Sequence, residues 1–232
     1  MQFRIAGAVV ALVSVVGADA AFAQQQSLNF SLGYFTVRGE DARVEGDALV
    51  VNRDLYLFDF ADFNGPSIGA DYLVGLGDYF EVGAGIGYTS RAVDTIYDLF
   101  EHSDGSEIEQ ELKLRIVPMT ATVRILPLGH TNPFQPYIGG GIGIYNWRYS
   151  ETGEFIDFSV PGQPIFRDSY VASGTSIGPV AVFGLRFPVG QATIGGEVRY
   201  QKAEGDLDER DFLGPKIDLG GLHYSATVGF RW

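Results

Sequence analysis

Alternation is the feature that most limits what this chain can fold into. Near its end, Leu222, Tyr224, Ala226, Val228, Phe230 and Trp232 are separated by His223, Ser225, Thr227, Gly229 and Arg231. A period of two sends one set to each face of a β-strand. The same alternation marks residues 28–38, 67–76, 80–89, 112–126, 135–147, 177–187 and 192–202. In these segments bulky Ile, Val, Leu, Phe or Tyr fill one face, while Gly, Ser, Thr and charged residues fill the other. Segment 112–126 changes phase. Leu112, Leu114 and Ile116 are apolar on even numbers, then Met119, Ala121, Val123 and Ile125 on odd ones. Pro118 sits at the switch, which predicts a β-bulge that shifts the register by one residue.

The connections turn strands into an architecture. Residues 39–64, 91–109, 150–175 and 203–221 form long connections; 77–78, 129–133 and 189–191 form short ones. Long and short alternate, as in an all-β, eight-stranded antiparallel up-and-down barrel with long extracellular loops and short periplasmic turns. The segments are long enough to cross a bilayer when tilted.

The N-terminus agrees with export. Arg4 precedes a short apolar run at 5–16, and Ala21-Phe22-Ala23 is a small-residue cleavage site. Residues 1–23 are therefore expected to be a cleaved signal peptide, and 24–232 one barrel domain in the cell outer membrane. With no cysteine, disulfides, Cys-zinc sites and thiol catalysis are excluded. A formal charge of −13 argues against nucleic acid as a partner. Gly139–Gly143 lies within a strand with no helix after it, so it does not form a nucleotide loop. No cofactor or metal is expected. The expected surroundings are outer-membrane lipid and lipopolysaccharide.

Chemistry decides which face is outside. Glycine-rich faces cannot fill a soluble core, but they fit the narrow lumen of an eight-stranded barrel. The bulky faces are then assigned to lipid. The interior is expected to hold Asp71, Glu81 and Glu197 together with Lys113, Arg115, Arg124, Arg186, Arg199 and Arg231. Both signs are present, so paired networks can offset desolvation. Aromatic girdles are expected at Tyr79, Phe134, Phe187 and Trp232 near the turns, and at Tyr34, Tyr88, Tyr145, Trp147, Tyr149 and Tyr200 near the loops.

"IVPMTATVRILPLG" followed by "PFQPYIGGGIGIYNW" resembles the fourth-to-fifth strand region of the outer-membrane protein W family, within the superfamily of small eight-stranded outer-membrane barrels. That resemblance implies a narrow barrel with an apolar pocket at its loop end for a small hydrophobic ligand. The terminal Phe-x-Trp is similar to the signal read by the bacterial barrel-assembly machinery, which is thereby an expected partner.

Candidate sites follow from these expectations. The loops carry exposed-type aromatics: Tyr56, Phe58, Phe60 and Phe63 in the first, Phe100 in the second, Phe155 and Phe158 in the third. Such density marks a contact site, a lid of packed loops, or strands continuing above the bilayer. Ile96, Leu99 and Phe100 stand at helical spacing. The acidic run Asp206–Asp211 lacks the spacing of a calcium loop. His223-Tyr224-Ser225 resembles the motif of lipid A 3-O-deacylases. However, the pair faces inward, and Ala226 stands where that family has Asn, so no catalytic residue is assigned.

Overall fold

The computed structural model describes residues 25–232; the leader and its cleavage site after Ala23 lie outside the described residues. The strands are β1 (Gln26–Val37), β2 (Gly65–Leu76), β3 (Phe80–Glu101), β4 (Glu107–Ile125), β5 (Gln135–Ile156), β6 (Ile165–Val189), β7 (Ala192–Gln201), β8 (Glu204–Asp206), β9 (Lys216–Asp218) and β10 (Gly221–Arg231). All but β8 and β9 form one closed antiparallel barrel, in which β10 pairs with both β7 and β1. The seam runs from Ser27↔Arg231 to Val37↔Gly221. It is locked at the base by reciprocal 3.0 Å bonds between the backbones of Gln26 and Trp232. Closure leaves no unpaired edge in the bilayer, which a membrane-spanning sheet requires. The tight turn after β2 uses Gly77 at φ +67°, a conformation that a side chain would disfavour.

Around this wall the outward side chains form an apolar band. Leu32 and Ile177 are 67% and 66% exposed, and Phe30, Ile68, Ile86, Ile138, Phe183, Ile194 and Val228 lie in the same band. Tyr79, Phe134, Phe187 and Trp232 sit exposed at its turn end, as expected. The loop-end girdle is smaller than expected. Tyr34, Tyr88 and Tyr200 face outward, but Tyr145, Trp147 and Tyr149 are buried on the inward face of β5.

Two of the four long connections are mostly strand. β3 and β4 pair from Phe80↔Ile125 up to Ile96↔Glu109, and β5 and β6 pair up to Ile156↔Ile165. Ile96, Leu99 and Phe100 therefore lie in a strand, not a helix. The upper parts of β3 to β6 therefore rise beyond the other four barrel strands, above the bilayer in water.

The bulge expected at Pro118 is absent. The β4–β5 register is unbroken from Gln110↔Gly153 through Pro118↔Tyr145 to Ile125↔Ile138. Even-numbered β4 residues point inward throughout. The solvent changes at Pro118, while the strand keeps its phase. Below it the interior is polar and lipid lies outside. Above it the interior is the apolar core and water lies outside. Lys113 and Arg115 therefore point outward and are exposed, not in the lumen.

Candidate functional site

The lumen within the bilayer is closed by charge pairs. Arg199 reaches Asp71 at 2.9 Å and Glu197 at 2.8 Å. Arg124 reaches Glu197 at 3.1 Å and Asp71 at 3.7 Å. Tyr137 donates to Glu197 at 2.9 Å, and its ring lies under the Arg124 guanidinium at 5.0 Å. Nearer the turns, Arg186 meets Glu81 at 2.6 Å and Gln135 at 3.1 Å. Arg124, Arg186 and Arg199 thus balance Asp71, Glu81 and Glu197, so the buried charge sums to zero. Each carboxylate comes from a different strand, so the network also pins strands β2, β3 and β7 to β4 and β6. Glycine makes the room: a Cβ on Gly85 would sit 2.1 Å from the Asp71 carboxylate. Of the other expected interior cations, Arg231 lies at the turn-end rim, donating to the Gly190 carbonyl at 2.9 Å. Lys113 and Arg115 lie outside, for the reason given above.

Above the network a cavity of about 30 Å³ touches Ser31, Ser67, Arg199, His223 and Ser225. That is room for roughly a water molecule. His223 Nε2 pairs with Gln201 at 3.2 Å and its ring packs on Phe35 at 4.5 Å. Ser225 Oγ turns to the Glu197 carbonyl at 3.4 Å. The two side chains have separate partners, so the arrangement does not present a serine activated by histidine.

The barrel mouth is filled by the first and last loops. Residues 38–64 carry a one-turn helix, α1 (Ala48–Asn52), and the short turn Phe60–Phe63, closed by a capping box between Asp59 and Asp62. The loop is held to the upper edge of β3 by Leu57 N–H to Ile96 O and Asp98 N–H to Leu55 O, both 2.9 Å. β8 and β9 form a hairpin that closes the other side. Leu49, Tyr56, Phe63, Leu112, Ile116, Trp147, Tyr149, Leu207, Phe212 and Ile217 make one apolar core between these loops and the barrel wall.

Polar bonds fix the plug in place. Arg43 pairs with fully buried Asp47. Asp47 accepts the Asp218 N–H at 2.9 Å, and Asp218 accepts Arg38 and the Val44 N–H, each at 2.9 Å. Asn52 of α1 donates to Glu151 at 2.7 Å and to Tyr149 at 3.1 Å, and Tyr149 donates to Glu151 at 2.8 Å. Glu151 lies above the bilayer, and burial raises its carboxyl above the usual range. Burial likewise raises the Tyr56 phenol.

The candidate ligand residues divide. Tyr56, Phe60, Phe63 and Phe155 are buried, the first three in the plug core. Phe58 and Phe100 pack partly buried against that core. Phe158 is 48% exposed and meets Phe100 at 5.3 Å. Asn52, Asp47, Asp218 and Glu151 were not expected from the sequence. Their partners stand as far as 180 residues away, and no local signal marks them.

A closed barrel with an apolar belt, a neutralised polar lumen and a capped mouth defines a membrane-spanning outer-membrane barrel of the Gram-negative type. No family model matches the chain, and no curated protein matches it. Solved structures are similar in fold. The outer membrane protein OprG from Pseudomonas aeruginosa is 15% identical, with 90% of this chain and 96% of that chain covered and a TM-score of 0.49. Ail, the attachment invasion locus protein of Yersinia pestis, is 13% identical, with 90% and 99% covered and a TM-score of 0.44. The Escherichia coli outer membrane protein W is 12% identical, with 90% and 97% covered and a TM-score of 0.41.

Proposed function

We propose that this chain is a sealed, non-enzymatic surface barrel that works through contacts made by its extracellular half. The observation that carries this reading is the filled mouth: α1, the Phe60–Phe63 turn and the β8–β9 hairpin occupy the space through which a solute would enter. The upper part of β6 adds support. From Phe166 to Gly178 it pairs with β5 alone, because β7 joins only at Val180↔Gln201. β8 packs beside the lower part of this edge, and the part above it, without a ladder partner, is a template for another polypeptide. Folded protein in planar bilayers should show no porin-sized conductance. Bacteria displaying the chain should attach to protein-coated surfaces better than bacteria displaying a variant with residues 157–164 and 207–214 replaced by short turns. A large steady conductance, or equal attachment, overturns the reading. The lipid A of cells displaying the chain should keep its mass, since Ser225 and His223 act as lumen packing.

A second reading, binding of small hydrophobic molecules at the loop end, is favoured by one feature: Phe58, Phe100 and Phe158 remain accessible beside the plug. On that reading Phe58→Ser with Phe158→Ser weakens binding of a small apolar fluorescent probe by about tenfold or more. Unchanged binding removes it.

A further inference from the structure

The outer face of β3–β5 is layered. Ile86, Met119 and Ile144 lie in cross-strand register within the lipid-facing band. Higher on the same face come Arg115, Lys113 and Arg148, all exposed. Higher still come the carboxylates of Glu111, Glu109 and Asp94. The basic layer is narrow and sits at the level where lipid gives way to water.

Its internal arrangement is costly for the isolated protein. Arg115 and Arg148 are directly opposed across the β4–β5 ladder, and Lys113 lies next to them on the same face. Directly opposed like charges destabilise a sheet pair. The side neighbours relieve nothing: Ser90 stands opposite Arg115, Ser173 opposite Arg148, Ala92 and Ser150 on either side of Lys113. None of the three enters an ion pair among the described residues, although this acidic chain has carboxylates to spare. Three cations held together with no carboxylate paired to them, the nearest being Glu111 and Asp94 one row above Lys113, form the complement of an anion.

We propose that Arg115, Arg148 and Lys113 bind the phosphate of a phosphorylated lipid of the outer leaflet, whose acyl chains lie on Met119, Ile144 and Ile86 below. Two facing guanidinium groups suit a tetrahedral phosphate, which accepts forked N–H bonds from both. The ammonium of Lys113 adds a third positive charge. A lipid fits better than a free anion because Val117 lies beneath Arg115 and the apolar row Ile86, Met119 and Ile144 follows below it, interrupted only under Arg148 by the Asn146–Thr175 pair, so headgroup and chains are bound together. The carboxylate layer above repels the same phosphate, which fixes how deep the headgroup sits.

The test uses the intact barrel folded in nanodiscs, titrated with bisphosphorylated lipid A and followed by native mass spectrometry. The double variant Arg115→Ala, Arg148→Ala should bind this lipid about tenfold or more weakly, since each cation near an anionic headgroup contributes on the order of one decade or less. Arg115→Lys, Arg148→Lys should recover part of the loss. Arg167→Ala, on the exposed upper β6 away from the belt, should bind as the parent does. Dephosphorylated lipid A should bind parent and double variant equally weakly. Inorganic phosphate at millimolar level should not displace the lipid. Equal binding by parent and double variant overturns the proposal, as does full displacement by phosphate, which would mark a free-anion site. Because both arginines are exposed, the double variant should keep the parent's heat-shifted gel mobility. Loss of that mobility would give the arginines a fold-supporting role and also count against the proposal.

Discussion

Four strands, β3 to β6, run through both the bilayer part and the extracellular part of this barrel, with opposite chemistry in each. In the bilayer half, Thr120, Thr122 and Arg124 of β4 point into a polar lumen while Met119, Ala121, Val123 and Ile125 meet lipid. In the extracellular half, Leu112, Leu114 and Ile116 of the same strand point into an apolar core, while Glu107, Glu109 and Glu111 meet water. Nothing in the backbone changes between them, as the unbroken β4–β5 register shows. Strand geometry decides which residues share a face; the solvent outside decides which face must be apolar. The halves also differ in what holds them closed. Charge pairs fill one lumen, and side-chain packing fills the other.

The largest effect should come from breaking the charged lumen. Arg124→Ala leaves Glu197 with one partner fewer and removes the nearer of the two guanidinium groups on the Tyr137 ring, Arg186 being the other. Removing one member of a buried ionic network costs about 3–5 kcal/mol. Urea unfolding in lipid vesicles should show that loss in the global transition. A change under about 1 kcal/mol would mean that water fills the lumen and screens the pairs.

Next comes the extracellular core. Leu112 is fully buried against the plug, and Leu112→Ala should cost about 2–5 kcal/mol there. The loss should be local. Protease should cut residues 38–64 sooner, while the bilayer half keeps its heat-resistant, closed form. If the whole barrel unfolds at lower urea by the same amount, the two halves are one cooperative unit and the contrast between them is only chemical.

A milder test compares outward positions on one strand. Ile142 and Thr152 both face out from β5, the first in the lipid band and the second above it. Ile142→Arg should destabilise by about 2–4 kcal/mol, the cost of a cation near the bilayer midplane. Thr152→Arg should fall within about 0.5 kcal/mol of the parent, as surface changes usually do. Equal costs would move the lipid boundary above Thr152.

The sequence made the bilayer half readable because lipid and a narrow lumen fix the phase of every strand. Asp71, Glu81, Arg124, Arg186, Glu197 and Arg199 all fall in the network where alternation puts them. The same rule fails for Lys113 and Arg115, because above Pro118 the charged face is the outer one. The phase switch in 112–126 was visible; its cause was not, since a bulge and a change of solvent leave the same mark on one strand. Tyr145, Trp147 and Tyr149 were misplaced for the same reason. An aromatic run near a membrane boundary fits a girdle until the water-exposed strands above it require a core. The plug was illegible in a different way. α1 spans five residues, too few for a helical period, and its anchor from Asn52 to Glu151 crosses 99 residues of sequence.

That anchor gives the smallest effect, and one confined to the upper half. Glu151 is buried beside Asn52 and Tyr149, and burial raises its carboxyl above the ordinary value of 4.5. The docked plug therefore holds a proton more readily than an undocked one. By linkage, this contribution to docking is fully present below the ordinary carboxyl range and is lost as pH rises through the raised value. Proteolysis at residues 38–64 should thus be slower at pH 5 than at pH 7, with the bilayer half unaffected. Glu151→Gln keeps an oxygen to accept from Asn52 and Tyr149 but never ionises. It should make the plug more resistant at pH 7 than the parent is and narrow the difference between the two pH values, the remainder coming from Asp47, whose carboxyl burial also raises. Should the variant keep the parent's pH dependence, the proton is being taken up elsewhere, and Glu151 is only a hydrogen-bond acceptor that fixes α1 to the wall.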